Sequence, residues 1–340
     1  MGSVKDLTVL EKPEASKAGI GYFIFSDRYS VFDWGEMPDH ITNKGKSLCL
    51  MSAHFFEKLE DKGIKTHYLG VMDGKPKSLR ELKEPVNSLK IKLLRVIKPE
   101  IRGNVYDYSA YQKETSNFLI PLEIVYRNYL PEGSSVFKRL KEGSLRLEDI
   151  GLSKMPLPGQ KLEKPVLDVS TKLEKTDRYI SWEEARDIAG LSQDEMQKIK
   201  DTTLLINELV TKEVNRLGLV HEDGKVEFGF DEKRNLLLVD VLGTPDECRF
   251  TFKGIPVSKE VARIFYRNTS WFKEVEEAKK KDSVRWKELV RSTPPPLPPE
   301  LFESISFLYQ TLCNEITGHI WFKTPPFQDT LLKIQKALNL

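Results

Sequence analysis

Residues 225–240, KVEFGFDEKRNLLLVD, constrain the fold more than any other stretch: two strand-like apolar runs flank a polar turn, the pattern of an antiparallel hairpin. With Phe230 paired to Leu237 across that turn, the register sets Glu227 opposite Asp240, two carboxylates on one face. Like charges directly opposite are unfavourable unless a cation stands between them, and Mg²⁺ suits one or two carboxylates plus substrate phosphates. Lys225 shares that face by the period-two rule and is placed to touch a phosphate. A solvated acidic hairpin edge would carry the same pattern.

The rest of the chain reads as mixed α and β. GYFIFSD suits a buried strand that empties its polar end into a cleft, and SLKIKLLRVIK and FLIPLEIVYRNYL read as interior strands. After Lys44-Gly45, Leu48, Met51, Phe55 and Leu59 recur at helical spacing, with Gly63 as a stop. Capping-box spacing at Ser181/Glu184 and Ser192/Glu195 opens two helices, the second running through Met196, Ile199, Leu209, Val214 and Leu217 to Gly218. KMPLPGQKLEKP is the clearest break in a loop-rich middle, and STPPPLPPE a stiff linker before the helical LFESISFLYQTLCNEITG. These boundaries divide the 340 residues into an N-terminal β-rich lobe with one helix (1–120), a larger α+β lobe (121–292), and a proline linker with a C-terminal helical extension (293–340).

Composition excludes several function classes. The 53 basic and 51 acidic side chains nearly cancel, which gives no general drive toward nucleic acid yet permits a local basic pocket. Cys49, Cys248 and Cys313 lie far apart without CxxC spacing, and the five histidines form no HxxxH pair, so reduced thiols and no zinc site are expected. The start MGSVKDLTVL lacks the apolar run of a signal peptide, and no stretch is long and apolar enough to cross a bilayer. A cytoplasmic protein is the expectation. GxSxG, GxGxxG and GxxxxGK[ST] are all absent.

Three further constellations are rich in polar groups. SDRYSVFDWGEMPDHITNKG carries Asp27, Arg28, Ser30, Asp33 and Lys44. YRNYLPEGSSVFKRL combines Arg127 with Gly133-Ser134-Ser135, Lys138 and Arg139, a turn whose N–H and hydroxyl groups can approach an anion; a turn followed by a basic strand is the plainer reading. STKLEKTDRY offers Lys172 and Asp177 without apolar periodicity, and LGTPDECRF adds Asp246 and Arg249, otherwise an ordinary surface turn.

The order of these pieces is more specific than any one of them. DRxSxFD, NKG, RNxxxxGSS with KR, STKxExxD, KxEFG, and a strand-ending Asp followed by PDxxR resemble the SAICAR synthetase (phosphoribosylaminoimidazole-succinocarboxamide synthase) family over residues 20 to 265, with FSDRYSVFDWG and VHEDGKVE closest to its archaeal-type branch. The resemblance implies an α+β, two-lobed fold analogous to ATP-grasp and kinase-like proteins, with antiparallel sheets and flanking helices. It implies a ligase that joins L-aspartate to carboxyaminoimidazole ribotide (CAIR) through an acyl phosphate, using ATP and Mg²⁺ in purine biosynthesis. A non-catalytic nucleotide- or ribotide-binding module of that fold, or a small-molecule kinase, are the alternatives. Nucleic acid and membranes are not expected partners, and a homo-oligomer is left open.

Position by position, the resemblance implies that Lys225, Asp33 and Lys172 serve catalysis and that Glu227 and Asp240 hold the metal. Lys44 would contact nucleotide, together with Lys12 and Lys17, which stand where the family has a GKxK turn over the phosphates, although EKPEASKAGIGYF lacks that pattern. Asp27, Arg28, Ser30, Arg127, Ser134, Ser135, Lys138, Arg139, Asp177 and Arg249 would bind substrates. GSSVFKR is one residue longer than the common form, which keeps both Ser134 and Ser135 in play, and Val241 replaces a second acidic residue after Asp240.

Overall fold

The computed structural model describes residues 4–103, 105–282 and 285–340. The first sheet comprises β1 (Lys5–Glu11), β2 (Gly19–Phe25), β3 (Tyr68–Asp73), β4 (Lys75–Lys77) and β5 (Ser88–Leu93), in the order β1-β2-β5-β3-β4 with antiparallel neighbours. A short hairpin, β6 (Glu100–Arg102) and β7 (Val105–Asp107), precedes the second sheet. That sheet contains β8 (Phe118–Leu130), β9 (Gln160–Thr171), β10 (Val220–Phe230), β11 (Leu236–Val239), β12 (Cys248–Phe252) and β13 (Ile255–Pro256).

Helix α1 (Lys44–Glu60) covers the first sheet, and the apolar stripe foreseen at Leu48, Met51, Phe55 and Leu59 is fully buried there. Its start is set by Asp27, whose carboxylate accepts from Gly45 N at 2.9 Å and Asn43 N at 3.3 Å, satisfying donors that a helix terminus leaves open. A Cβ on Gly45 would lie 2.7 Å from the Phe25 carbonyl oxygen, so glycine is what lets the helix begin against β2.

Helices α2 (Ser135–Glu142), α3 (Trp182–Ile188) and α4 (Gln193–Asn215) follow, the last two capped by Ser181 and Ser192 at the predicted positions. The basic segment after Gly133 is helix α2, not a strand, because Ser134 caps it by accepting from Val136 N. Half of the KMPLPGQKLEKP break is the start of β9, where Lys161 and Gln160 pair with Tyr129 and Leu130. Then come α5 (Glu260–Arg267), α6 (Ser270–Lys281), α7 (Trp286–Leu289), α8 (Pro299–Thr317) and α9 (Phe327–Leu338). Leu301, Ile305, Leu308, Leu312 and Ile316 of α8 are buried in the same core as α1 and both sheets.

The second sheet makes the site. Strand β10 pairs with β8 along one side; along the other, its first half pairs with β12 (Gly224 with Cys248) and its second half with β11 (Glu227 with Val239). The two partner strands part beside Lys225, and the loop between Asp240 and Glu247 runs through the opening.

The hairpin register differs from the expectation by one residue: Phe230 pairs with Leu236, and Glu227 with Val239. Asp231 causes the shift by accepting from Lys233 N at 2.9 Å and Asn235 N at 2.7 Å, closing the turn early. Asp240 therefore lies just beyond β11, at φ +62°, a left-handed bend that ends the strand. It still lines the same crevice as Glu227.

Candidate active site

Alternation along three strands builds one polar face. Asp223, Lys225 and Glu227 on β10 stand beside Arg127, Val125 and Glu123 on β8, and Asp168 and Ser170 on β9 continue the rows. The intervening Ile124, Tyr126, Val226 and Phe228 are buried on the opposite face. Above the polar face lie two chambers, of about 440 and 490 Å³, which share Lys225 and Glu247 as their common wall.

The smaller chamber opens between the sheets. Lys5, Asp6, Leu7 and Phe23 come from the first sheet and face Lys172, Lys225, Glu227 and Asp240. Lys5 Nζ is 2.5 Å from Asp240 Oδ1, Lys172 pairs with Glu227, and Lys225 Nζ is 3.0 Å from Glu123 Oε1 and 3.3 Å from Glu247 Oε2. Burial works against the charge on Asp240, but Lys5, Lys172 and Lys225 outweigh it and hold its carboxyl below the usual range. Glu227 goes the other way: burial and then Asp240 push its pKa up, despite Lys172 and Lys225. Glu247 raises Lys225 against the opposing effect of burial.

Two carboxylates shifted in opposite directions on one chamber wall fit a divalent cation, which would favour the ionised form of both. Among the described residues no three His, Cys, Asp or Glu side chains are arranged to hold a metal by themselves. A magnesium ion held by Glu227 and Asp240 would thus need oxygens from a bound phosphate, its ordinary preference.

The larger chamber is lined by Arg127, Gly133, Ser135, Asp177, Arg249 and Asp33, with Lys259, Arg263, Arg267 and Lys279 contributed by α6, α5 and the residue before α5. Arg249 grips Asp223 with two bonds, Nε to Oδ1 at 2.8 Å and Nη2 to Oδ2 at 2.5 Å. The Gly133 turn passes close under two guanidiniums: a Cβ there would sit 3.4 Å from Arg267 Nη2 and 3.9 Å from Arg249 Nη1, in ordinary van der Waals contact. Asp177 is an exposed residue, yet desolvation of its carboxyl, then Glu123, raises it to about 6.

The two serines separate. Ser134 is buried and caps α2, whereas Ser135 lines the chamber and accepts from Arg127 Nη2 at 3.3 Å. Arg127, only 2% exposed, also donates to Asp168 at 3.2 Å, to Asp223 at 3.4 Å and to the Tyr179 hydroxyl at 3.2 Å. Arg139 pairs with Asp168 and stacks 3.9 Å over Tyr179, bracing that array from behind.

Several expected contacts lie elsewhere. Lys12 and Lys17 sit at the closed end of the β1–β2 hairpin, roughly 20 Å along the strands from Lys5 at ~3.3 Å per residue, and Lys17 pairs with Glu11. Lys44 is wholly buried, 2.7 Å from Asp246 and beneath Tyr309, because its helix starts inside the core. Asp246 is accordingly no surface turn; its other oxygen accepts from the Tyr309 hydroxyl at 2.6 Å. Asp27 is spent on the α1 terminus, and Arg28 on Asp6 at 2.8 Å. Ser30 is half-buried outside the lining of both chambers. Lys138 is 77% exposed on the outer side of α2.

Sequence reasoning missed Lys5, Glu123, Asp168, Asp223 and Glu247. Period-two alternation around Arg127 and Lys225 would have found Glu123 and Asp223; Lys5 and Glu247 carry no local signal.

Two antiparallel sheets clasping a cleft of lysines, arginines and carboxylates define an α+β enzyme with a site for anionic substrates. The SAICAR synthetase family model matches residues 14–285, and the chain belongs to that family. It is 49% identical, over the full length of both chains, to an Archaeoglobus fulgidus protein provisionally assigned as phosphoribosylaminoimidazole-succinocarboxamide synthase. Against the Thermoplasma acidophilum enzyme of that name identity is 35%, over 88% of this chain and 93% of the relative. Among solved structures, Saccharomyces cerevisiae SAICAR synthase complexed with SAICAR superposes with a TM-score of 0.62 at 22% identity, covering 95% of each chain. A type-2 SAICAR synthetase in complex with ADP gives 0.61 at 22% identity, covering 96% of this chain and 99% of that one. No helix among the described residues is long and apolar enough to cross a membrane.

Proposed function

We propose that this chain joins L-aspartate to CAIR in the cytoplasm, consuming ATP and releasing SAICAR, ADP and phosphate, with the smaller chamber taking the nucleotide and the larger one the ribotide and amino acid. The observation that carries this reading is the shared wall: Lys225 and Glu247 border both chambers, so a phosphoryl group can pass from one to the other without leaving the charged face.

Leu7 and Phe23 offer the nucleotide apolar surface, while Lys5 and Lys172 face its phosphates. Glu227 and Asp240 would hold magnesium, which when bound neutralises phosphate charge during transfer. On the other side, Ser135, Arg249 and Arg267 surround the space under Gly133 and suit the ribotide phosphate, with Arg127 fixing Ser135 from below.

The ribotide carboxylate attacks the terminal phosphorus of ATP, ADP departs, and an acyl phosphate forms. The aspartate amine then attacks the acyl carbon, the C–O bond to phosphate breaks, and the amine gives up a proton. Lys225 and Lys172 stabilise charge on the transferring group, and the exposed carboxylates of Asp33 and Asp177 face the amine. No protein nucleophile is needed.

A coupled assay tests the reading: ADP release should require CAIR and L-aspartate together, and mass spectrometry should find the succinocarboxamide. ADP release without aspartate, leaving a stable phosphoester, would make the chain a kinase; nucleotide binding without turnover would make it a binding module.

A further inference from the structure

Lys279, on α6, makes two contacts to the loop over residues 31–36 and a third to α7. Its ammonium donates to the Phe32 carbonyl at 3.0 Å, lies 3.6 Å from Asp33 Oδ2, and stands 4.7 Å over the Trp286 ring. Two helical turns earlier on the same face, Phe272 packs against Phe32 with ring centroids 4.4 Å apart. Trp34 meets Trp271 edge-on at 5.4 Å and Trp286 at 6.1 Å. Helices α6 and α7 thus hold residues 31–36 by one cation and a set of rings.

That loop needs holding. Phe32 and Asp33 are consecutive non-glycine residues at φ +55° and +62°, a left-handed conformation that side chains disfavour and that persists only when the surroundings impose it. Both residues rim the larger chamber, and the Asp33 side chain is 90% exposed.

We propose that Lys279 is a positioning residue that straps residues 31–36 against α6, so that the Asp33 carboxylate stands where the aspartate amine must approach; this rests on the ligase reading of the larger chamber. Without the ammonium, the Phe32 carbonyl loses its donor and Asp33 its nearby cation, and the left-handed pair relaxes away from the chamber. The amine then meets a mobile carboxylate in place of a fixed one.

Lys279→Met keeps the length of the stem and removes the charge and the donors; Lys279→Arg restores both, and Lys280→Met is the exposed neighbour for comparison. The aspartate KM should rise about tenfold in Lys279→Met, with the KM values for ATP and CAIR unchanged, substantial recovery in Lys279→Arg and no effect of Lys280→Met. Hydrogen exchange supplies a readout free of turnover. The amides of Trp34 and Met37, which donate to Val31 and Tyr29 carbonyls at 3.2 Å, should exchange faster in Lys279→Met while α1 and β10 keep their protection. Wild-type exchange over residues 31–37 in Lys279→Met would overturn the strap, as would protection lost evenly across the chain. An unchanged aspartate KM in an active enzyme would overturn the positioning role. A wild-type protein that forms no succinocarboxamide would instead sink the ligase reading, and the exchange measurement would still decide the strap.

Discussion

Lys5 Nζ lies 2.5 Å from Asp240 Oδ1, an ion pair that ties the first strand of one sheet to the residue leaving β11 in the other. It closes the smaller chamber across the cleft, and Lys5 is the largest of the effects that hold the Asp240 carboxyl below the usual range against desolvation. On the proposed reading, Lys5 would exchange its carboxylate partner for a phosphate when nucleotide enters the smaller chamber.

Lys5→Met should therefore lower kcat/KM for ATP about tenfold or more, with the aspartate KM unchanged, because the lost interaction is an electrostatic one made with phosphate. Asp240→Asn should cost turnover about a hundredfold through poorer placement of Mg²⁺ and ATP. Steady-state kinetics at ordinary Mg²⁺ check both, and normal turnover of Asp240→Asn would remove it from the metal site.

Arg127 and Ser135 are distinguishable. Arg127→Ala leaves Asp223 to Arg249 and Asp168 to Arg139 but removes a buried guanidinium that donates to both, and should lower stability by about 1–3 kcal/mol, seen as a lower denaturation midpoint. Ser135→Ala keeps that array and should raise the CAIR KM several-fold with little change in melting temperature. Equal melting losses in the two variants would refute the division of labour.

Lys44 should behave as a structural residue. Lys44→Met leaves buried Asp246 without its ion-pair partner, with the Tyr309 hydroxyl and the field of Lys259 remaining, and should cost about 3–5 kcal/mol, measured by urea unfolding. A normal midpoint with a raised ATP KM would return Lys44 to the nucleotide site.

Glu222 gives the fold a pH dependence outside the two chambers. Burial, then Asp223, raises its carboxyl from 4.5 to about 7. The folded state thus binds a proton that the unfolded chain has released over that interval, so its contribution is complete below 4.5 and is lost as pH rises through about 7. Glu222→Gln cannot lose it. The difference in melting temperature between Glu222→Gln and wild type should grow in favour of the variant from pH 4.5 to above 7, and a gap that is flat with pH would disprove the assignment.

What the sequence alone determined is what short-range physics encodes. Helices α3 and α4 begin at Ser181 and Ser192 because caps act within one turn, and β8 spans FLIPLEIVYRNYL because its composition marks an interior strand. The ordered motifs identified the family, and the shared face of Lys225 and Glu227 followed from alternation. Tertiary structure decided the rest. An Asx turn at Asp231 moved the hairpin by one residue, capping consumed Ser134 and left Ser135 in the chamber, and burial turned Lys44 from a nucleotide contact into a core ion pair. Lys5 reaches Asp240 and Lys279 reaches Phe32 across more than 200 residues, whereas Lys12 and Lys17, equally basic, end at the far end of a hairpin. Charge and spacing nominate such side chains, but contacts between distant segments depend on how sheets and helices pack, and no local period records that.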